Sequence, residues 1–558
     1  MRIWCGLRMK TVIVKGSFRC VTWPLLMISS LTLWAWSVKD YRFSELNPYS
    51  PPLISIGFTF WVGYVVALLT TFLASAPILR YLATLISSFY TINTLSVIFP
   101  YCIHHDSIGN LYLSAIGKGG YAGGSIAGFY AFNGLLINLC NLKVLMMARI
   151  YPTFSWALYI LSLYFLYESL APYLPREASL EAFLFYVLVL SPTFWFRLNA
   201  APQTIGMVLS IFALALFVKA LSAHNLALWS LFSITYLALM LTHPLTPLFL
   251  VPALVAVQVL VHESINVLNF IKYSLKYVFP LFLPYLALLI YKAEYFYPYF
   301  YHLKPPLKFP STLEISCYKI PYVTWMAPGA PSKYLFLNLL YIAYLALTLF
   351  LSLIVAWRRS PNFGLTSLIW LGALLAVLLI FLTPFFSKFL SRPLLFLSLP
   401  LGLIFSVALG PIFGVNRLNF IKILLIVSLV SISVLGLYRA YYYYGAFDIP
   451  TPTQVEAHKW LMTHVKNKVV SVDAFLHTVD YALNEGNVIK LAGRIANIGR
   501  LLSAHYSMIT QQMRTYTSFE AGKFYPLTKL GALERSELAF RGKVYENDHV
   551  RIYRTWRP

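Results

Sequence analysis

Long uninterrupted apolar runs, separated by short polar breaks, dominate the chain from its first few dozen residues to about residue 440, and the pattern changes abruptly after Tyr441. A helix needs about 20 apolar residues to cross the roughly 30 Å of bilayer hydrocarbon. On that measure the runs at 21–37, 53–79, 83–101, 152–171, 178–194, 204–221, 226–242, 246–262, 277–291, 334–357, 362–383, 394–413 and 421–438 predict about thirteen crossings. The stretch from Gly124 to Leu139 is also apolar, but it is short and follows a glycine-rich segment, Gly117 to Gly124. It is expected to lie along the interface or dip into it. Beyond Tyr441, charges return at soluble density. Thr451-Pro452-Thr453-Gln454 ahead of Val455 to Val465 predicts a capped amphipathic helix. Lys468 to Asp473 predicts a buried strand and Val550 to Tyr553 an alternating one. The expected fold is mostly α: a polytopic transmembrane helical protein with a small C-terminal extracytoplasmic α/β domain. Residues 1–82 hold an N-terminal cytoplasmic segment and two transmembrane helices, 83–440 the main transmembrane domain with a large first outer loop at 102–151, and 441–558 the soluble domain.

Composition agrees with the pattern. The 558 residues are 59% hydrophobic and 11% charged, whereas a soluble chain is about 45–50% apolar and about 25% charged. The few charges are lopsided, 43 Lys and Arg against 19 Asp and Glu, for a net +24. Arg2, Arg8, Lys10, Lys15, Arg19, Arg80, Lys272, Lys276, Arg358, Arg359, Arg417 and Lys422 fall on one side if the 124–139 stretch does not cross. Loops on that side are roughly twice as dense in basic residues as the others, which makes it the cytoplasmic side. The chain is expected in the plasma membrane with its N-terminus cytoplasmic and everything after Tyr441 outside. The Arg-rich start also fits a signal peptide, but no A-x-A-like site follows Val38, which favours a retained first helix. No basic stripe of the nucleic-acid-binding kind is present, so the partners implied are the bilayer and an anionic lipid or substrate. Five cysteines, Cys5, Cys20, Cys102, Cys140 and Cys317, include no C-x-x-C pair. Cys102 and Cys140 both fall outside and are a candidate disulfide.

The apolar runs hold almost no ionisable residue, so the carboxylates of a coupled transporter are missing. Polar chemistry collects in the outer loops. The first opens Tyr101-Cys102-Ile103-His104-His105-Asp106-Ser107 at the outer end of the third run. Asp106 beside His104 and His105 suits a general base, or a divalent metal held by those three residues; it equally suits a cap for a helix starting at Ile108. In the second loop Arg197 has the geometry to grip a phosphate or to snorkel beside Trp195, and Gln203 adds an amide. His243, in Thr242-His243-Pro244, reads as a substrate contact or as a local hydrogen-bonding device. A long Tyr- and Pro-rich loop from Lys292 to Lys333 suits a lid, an acceptor groove or a static cover. Lys388 and Arg392 place two cations at an outer helix boundary, as lipid-phosphate partners or as snorkelling residues.

The order of these segments resembles the GT-C superfamily of multi-pass glycosyltransferases that use polyprenyl-phosphate sugars. The resemblance covers roughly residues 83–558. It is carried by Asp106 just after a membrane helix, the glycine-bearing stretch from Leu111 to Leu139, Ser191-Pro192 in the next outer loop and Arg392-Pro393 in a late one. The tail, from Ala457-His458-Lys459-Trp460-Leu461 to Val544–Tyr553, is similar to the soluble domain of archaeal members. The resemblance implies transfer of a sugar from a polyprenyl-phosphate donor to a glycan, lipid or protein acceptor on the outer face. It implies that Asp106 activates the acceptor or binds metal and that Arg392 binds phosphate. The chain departs from the family at His104, His105 and Ser107, where a second acid is common, and at Gln203, where many members carry an acid. The alternative reading is a non-catalytic envelope protein, a lipid-linked glycan flippase or a surface-layer scaffold.

Overall fold

Apolar runs in a bilayer must satisfy their backbone groups internally, and helices do so. Each run named above holds a helix in the computed structural model, which describes residues 17–39, 56–98, 105–116, 127–191, 201–243, 246–262, 272, 274–291, 332–382, 391–413, 420–443, 452–465, 469–472, 490–494, 506–510, 519–520, 523–524, 540–546 and 550–555. The helices are α1 (Ser17–Lys39), α2 (Phe58–Leu73), α3 (Pro77–Ile98), α4 (His105–Ala115), α5 (Ala127–Leu139), α6 (Val144–Leu170), α7 (Leu180–Phe185), α8 (Pro202–Ala223), α9 (Leu226–Thr242), α10 (Thr246–His262), α11 (Phe279–Tyr291), α12 (Ser332–Arg359), α13 (Pro361–Leu382), α14 (Ser391–Leu409), α15 (Phe420–Tyr443) and α16 (Pro452–His464). A π turn, Tyr186–Leu190, continues α7. Among the described residues, Met146–Tyr173, Pro202–Ala223 and Phe420–Tyr438 are long and apolar enough to cross a membrane. Shorter apolar helices surround them.

The outward faces are as apolar as the core. On α9, Leu231, Ile234, Leu237 and Leu241 are exposed, Ile234 by 65%, while Phe232, Tyr236 and Leu239 are buried. On α15 Phe420 is 79% exposed, with Ile421, Leu424 and Val427 beside it. A soluble protein covers such contiguous patches; lipid tails satisfy them.

Specific bonds set the direction of neighbouring helices. Ser30 of α1 donates to Gly63 O of α2 at 2.8 Å, and Trp34 Nε1 to Thr94 Oγ1 of α3 at 2.8 Å. Helices α3 and α6 run antiparallel through Thr153 with Asn93 and through Trp156 Nε1 with Ser88 Oγ at 3.1 Å. Tyr341 of α12 donates to Leu190 O at 2.5 Å. Arg359, at the other end of α12, donates to Val407 O of α14 at 2.6 Å. The bundle thus has two distinct ends, one marked by Arg80 and Arg359, the other by the starts of α4, α6, α8, α10 and α14.

The expected runs at 53–79 and 83–101 are two helices, α2 and α3, but the boundary between them falls earlier than expected. The chain turns at Ala74, which is extended, and Pro77 opens α3, a first-turn position where its missing N–H costs nothing. Arg80 fastens the turn, donating to Ala74 O (3.1 Å), Ser75 O (3.0 Å) and Glu181 Oε1 (3.3 Å). Ser179 Oγ bonds the other Glu181 oxygen at 2.6 Å.

The 102–151 segment also differs from its expected form. Helix α6 starts at Val144, eight residues before the expected 152, because Asn141 takes a left-handed turn (φ 48°) that redirects the chain. The 13-residue α5 is about 20 Å long, too short to cross. It lies along one end of the bundle, with Gly128 against Leu241 and Thr242 of α9 and Gly134 against Ser114 of α4. A Cβ on Gly134 would stand 2.6 Å from the Ser114 carbonyl oxygen. Gly134→Val is expected to cost about 1–3 kcal/mol, read as a lower thermal midpoint of the purified protein; an unchanged midpoint would show that α4 yields freely.

The C-terminal segment has β1 (Val469–Val472), β2 (Lys490–Arg494), β3 (Tyr506–Thr510), β4 (Phe519–Glu520), β5 (Lys523–Phe524), β6 (Phe540–Glu546) and β7 (Val550–Thr555), five of them paired in the order β2-β1-β3-β7-β6. Strands β1, β2 and β3 are parallel, while β3, β7 and β6 are antiparallel. Ala457 and Leu461 of α16, with Val465 just after it, share a core with Ile552 of β7 and with Leu111, Phe129, Met147, Tyr151 and Ile205. Helix α16 and Ile552 of β7 therefore pack against α4, α5, α6 and α8.

Candidate functional site

The end of the bundle that carries α4 and α5 gathers several helix N-termini. Gly206, in the second turn of α8, lets α8 approach the α9–α10 turn. A Cβ there would lie 2.8 Å from His243 Cβ and 3.1 Å from Thr246 Oγ1. His243 is buried and its Nδ1 pairs with Thr246 Oγ1 at 2.6 Å, which fits the local hydrogen-bonding reading of this histidine. Phe249 of α10 stacks on Phe396 of α14, ring centroids 5.3 Å apart. Thr246 and Arg392 each precede that stack by one turn, so α10 and α14 begin at one level. Three helices therefore point their positive dipole ends toward one side, an arrangement that attracts anions.

Gln203 occupies the first turn of α8, after Pro202. It is 5% exposed, and its Nε2 has no hydrogen-bond partner among the described residues. Gln203, His243 and the start of α14 are thus brought to one end of the bundle. Asp106 and His105 are the first two residues of α4, at that same end. The helix therefore starts three residues before the expected Ile108, with Asp106 inside its first turn, where a carboxylate meets the favourable dipole end. Among the described residues no group of three His, Cys, Asp or Glu side chains is placed to hold a metal ion. His104, Arg197, Lys388 and the Lys292–Lys333 loop up to residue 331 lie outside the described residues, as do the side chains of His105, Asp106 and Arg392. Cys140 is an exposed free thiol, and Cys102 lies outside the described residues.

Thr246, Gly206 and Asn133 were not legible as site residues. Asn133, on α5, stands beside the buried Tyr151 hydroxyl of α6. The only local sign of Thr246 is its place before Pro247, where a helix can start.

No family model matches the chain, and no curated protein resembles it at a significant level.

Proposed function

We propose that this chain is a membrane glycosyltransferase of the GT-C type, moving a sugar from a polyprenyl-phosphate donor to a glycan, lipid or protein acceptor on the outer face of the plasma membrane. In this reading the chain crosses the bilayer about thirteen times. Its N-terminus and the Arg80 end face the cytoplasm, and residues 441–558 form an extracytoplasmic α/β domain. The placement of Arg80, Arg358, Arg359 and Lys422 at one end of the bundle supports the orientation, since cytoplasmic loops concentrate Lys and Arg.

The observation that supports the reading is that α4, α8, α10 and α14 all start at one end of the bundle. A phosphate leaving group and an acceptor hydroxyl need a cationic or dipolar environment beside a base. Asp106 takes the proton of the acceptor hydroxyl as its oxygen bonds to the anomeric carbon. The bond from that carbon to the phosphate oxygen breaks, and polyprenyl phosphate leaves. Arg392, with Lys388 or Arg197, neutralises the leaving group. The test is incorporation of label from radiolabelled polyprenyl-phosphate sugars in proteoliposomes holding the purified full chain. Label in an acceptor, above empty liposomes, is the expected result. Lipid scrambling without transfer from any donor of the set would replace this reading with that of a lipid-linked glycan flippase.

A further inference from the structure

We propose that the first turns of α8 and α10 form a phosphate-binding site in which the side-chain amide of Gln203 is the buried donor. The inference deepens the reading above and rests on it for the identity of the ligand as a lipid phosphate.

Helix N-termini normally bind anions through free backbone N–H groups. Here those groups are largely withdrawn. Pro202 and Pro247 occupy the first turns and have no N–H. The Thr204 N–H is taken by Ala201 O at 3.0 Å, and the Thr246 N–H by His243 O at 3.1 Å. The dipoles remain, but directional bonds to a ligand must come from side chains.

Gln203 supplies one. Helical side chains lean toward the N-terminus of their own helix, so the amide is aimed at the space ahead of α8. It shares a stripe with Gly206 one turn later, the residue that touches His243 and Thr246. Gln203 lies about 4.5 Å nearer the start of α8 than Gly206 along the axis. His243 and Thr246, which pack against Gly206, are paired with each other at the start of α10. A buried donor left unmade is costly to keep, and among the described residues nothing supplies its partner, as a ligand oxygen would. The chemistry selects a phosphate. Dipole ends and an N–H donor favour an anion, and while Asp106 lies in the first turn of α4 at this end, Glu168, Glu177 and Glu181 lie at the opposite end of the bundle. Either a lipid phosphate or free phosphate has that chemistry.

The experiment titrates the purified full chain in detergent with geranylgeranyl phosphate, with inorganic phosphate and with geranylgeraniol, following heat or fluorescence change. Binding of the prenyl phosphate but not of the alcohol is expected, weakened at least about 10-fold in Gln203→Leu, as for a lost hydrogen bond to a charged group. The thermal midpoint of Gln203→Leu should be unchanged or higher, since an unpaired buried amide has been removed; Gln203→Met serves the same purpose if the leucine variant does not fold. Equal affinity in wild type and variant, or no binding of either phosphate by the wild type, overturns the site. Equal binding of inorganic phosphate supports it and assigns free phosphate as the ligand. Gln203-dependent binding without sugar transfer would keep this site and remove the transferase reading; transfer with Gln203-independent binding would do the reverse.

Discussion

Asp106→Asn should lower sugar transfer by about 10²–10⁴-fold while leaving the amount of folded protein in the membrane unchanged. Asn matches Asp in size and performs nearly as well near the start of a helix, and Asp106 sits in the first turn of α4. A role in starting the helix would survive the change. A role in accepting a proton would not, because the amide has no basicity to offer. A 100-fold loss corresponds to about 2.7 kcal/mol in the barrier, well above the few tenths expected from a change of helix-terminal residue. Initial transfer rates and thermal midpoints measured on the same preparations separate the two roles. Wild-type rates in Asp106→Asn would leave the carboxylate a structural residue.

Arg80→Met should be the most damaging single change for stability. Arg80 and Glu181 are each 11% exposed at the side chain, and the guanidinium also binds the carbonyls that turn α2 into α3. Removing one partner of a buried pair strands the other charge, typically at about 3–5 kcal/mol. Two backbone carbonyls lose their donor as well. The expected result is a much lower midpoint, or loss of the monodisperse peak in detergent. Replacing both partners together removes the stranded charge, so Arg80→Met with Glu181→Leu should recover most of the loss. A double variant as unstable as the sum of the single ones would show that the pair itself contributes nothing.

The apolar runs predicted where helices form, because in lipid a backbone has no partners but its own. They did not predict where helices stop. Ala74 ends α2 before the expected 79 and Pro77 starts α3 before the expected 83, and Asn141 moves the start of α6 toward the N-terminus. Both departures lie in local backbone geometry that a sliding window averages away. The strands β1 and β7 overlap the segments expected at 468–473 and 550–553, since alternation of apolar residues is itself a local property.

The candidate site divides in the same way. Asp106, Gln203, His243 and Arg392 were legible as polar residues at the ends of apolar runs. That Gln203 is buried with an unmade hydrogen bond was not, because burial depends on what other segments place around a residue. By itself, then, the sequence determined a helical membrane chain, the approximate position of its helices, the cationic bias of one side and a short set of polar residues with chemistry to offer. Only the tertiary structure decided that Arg80 meets Glu181, that Phe249 meets Phe396, and that Gly206 admits His243 and Thr246 beside α8. Those pairings join residues tens to more than a hundred positions apart, and they follow from shape: a missing Cβ, a ring that stacks, a turn fastened by one guanidinium.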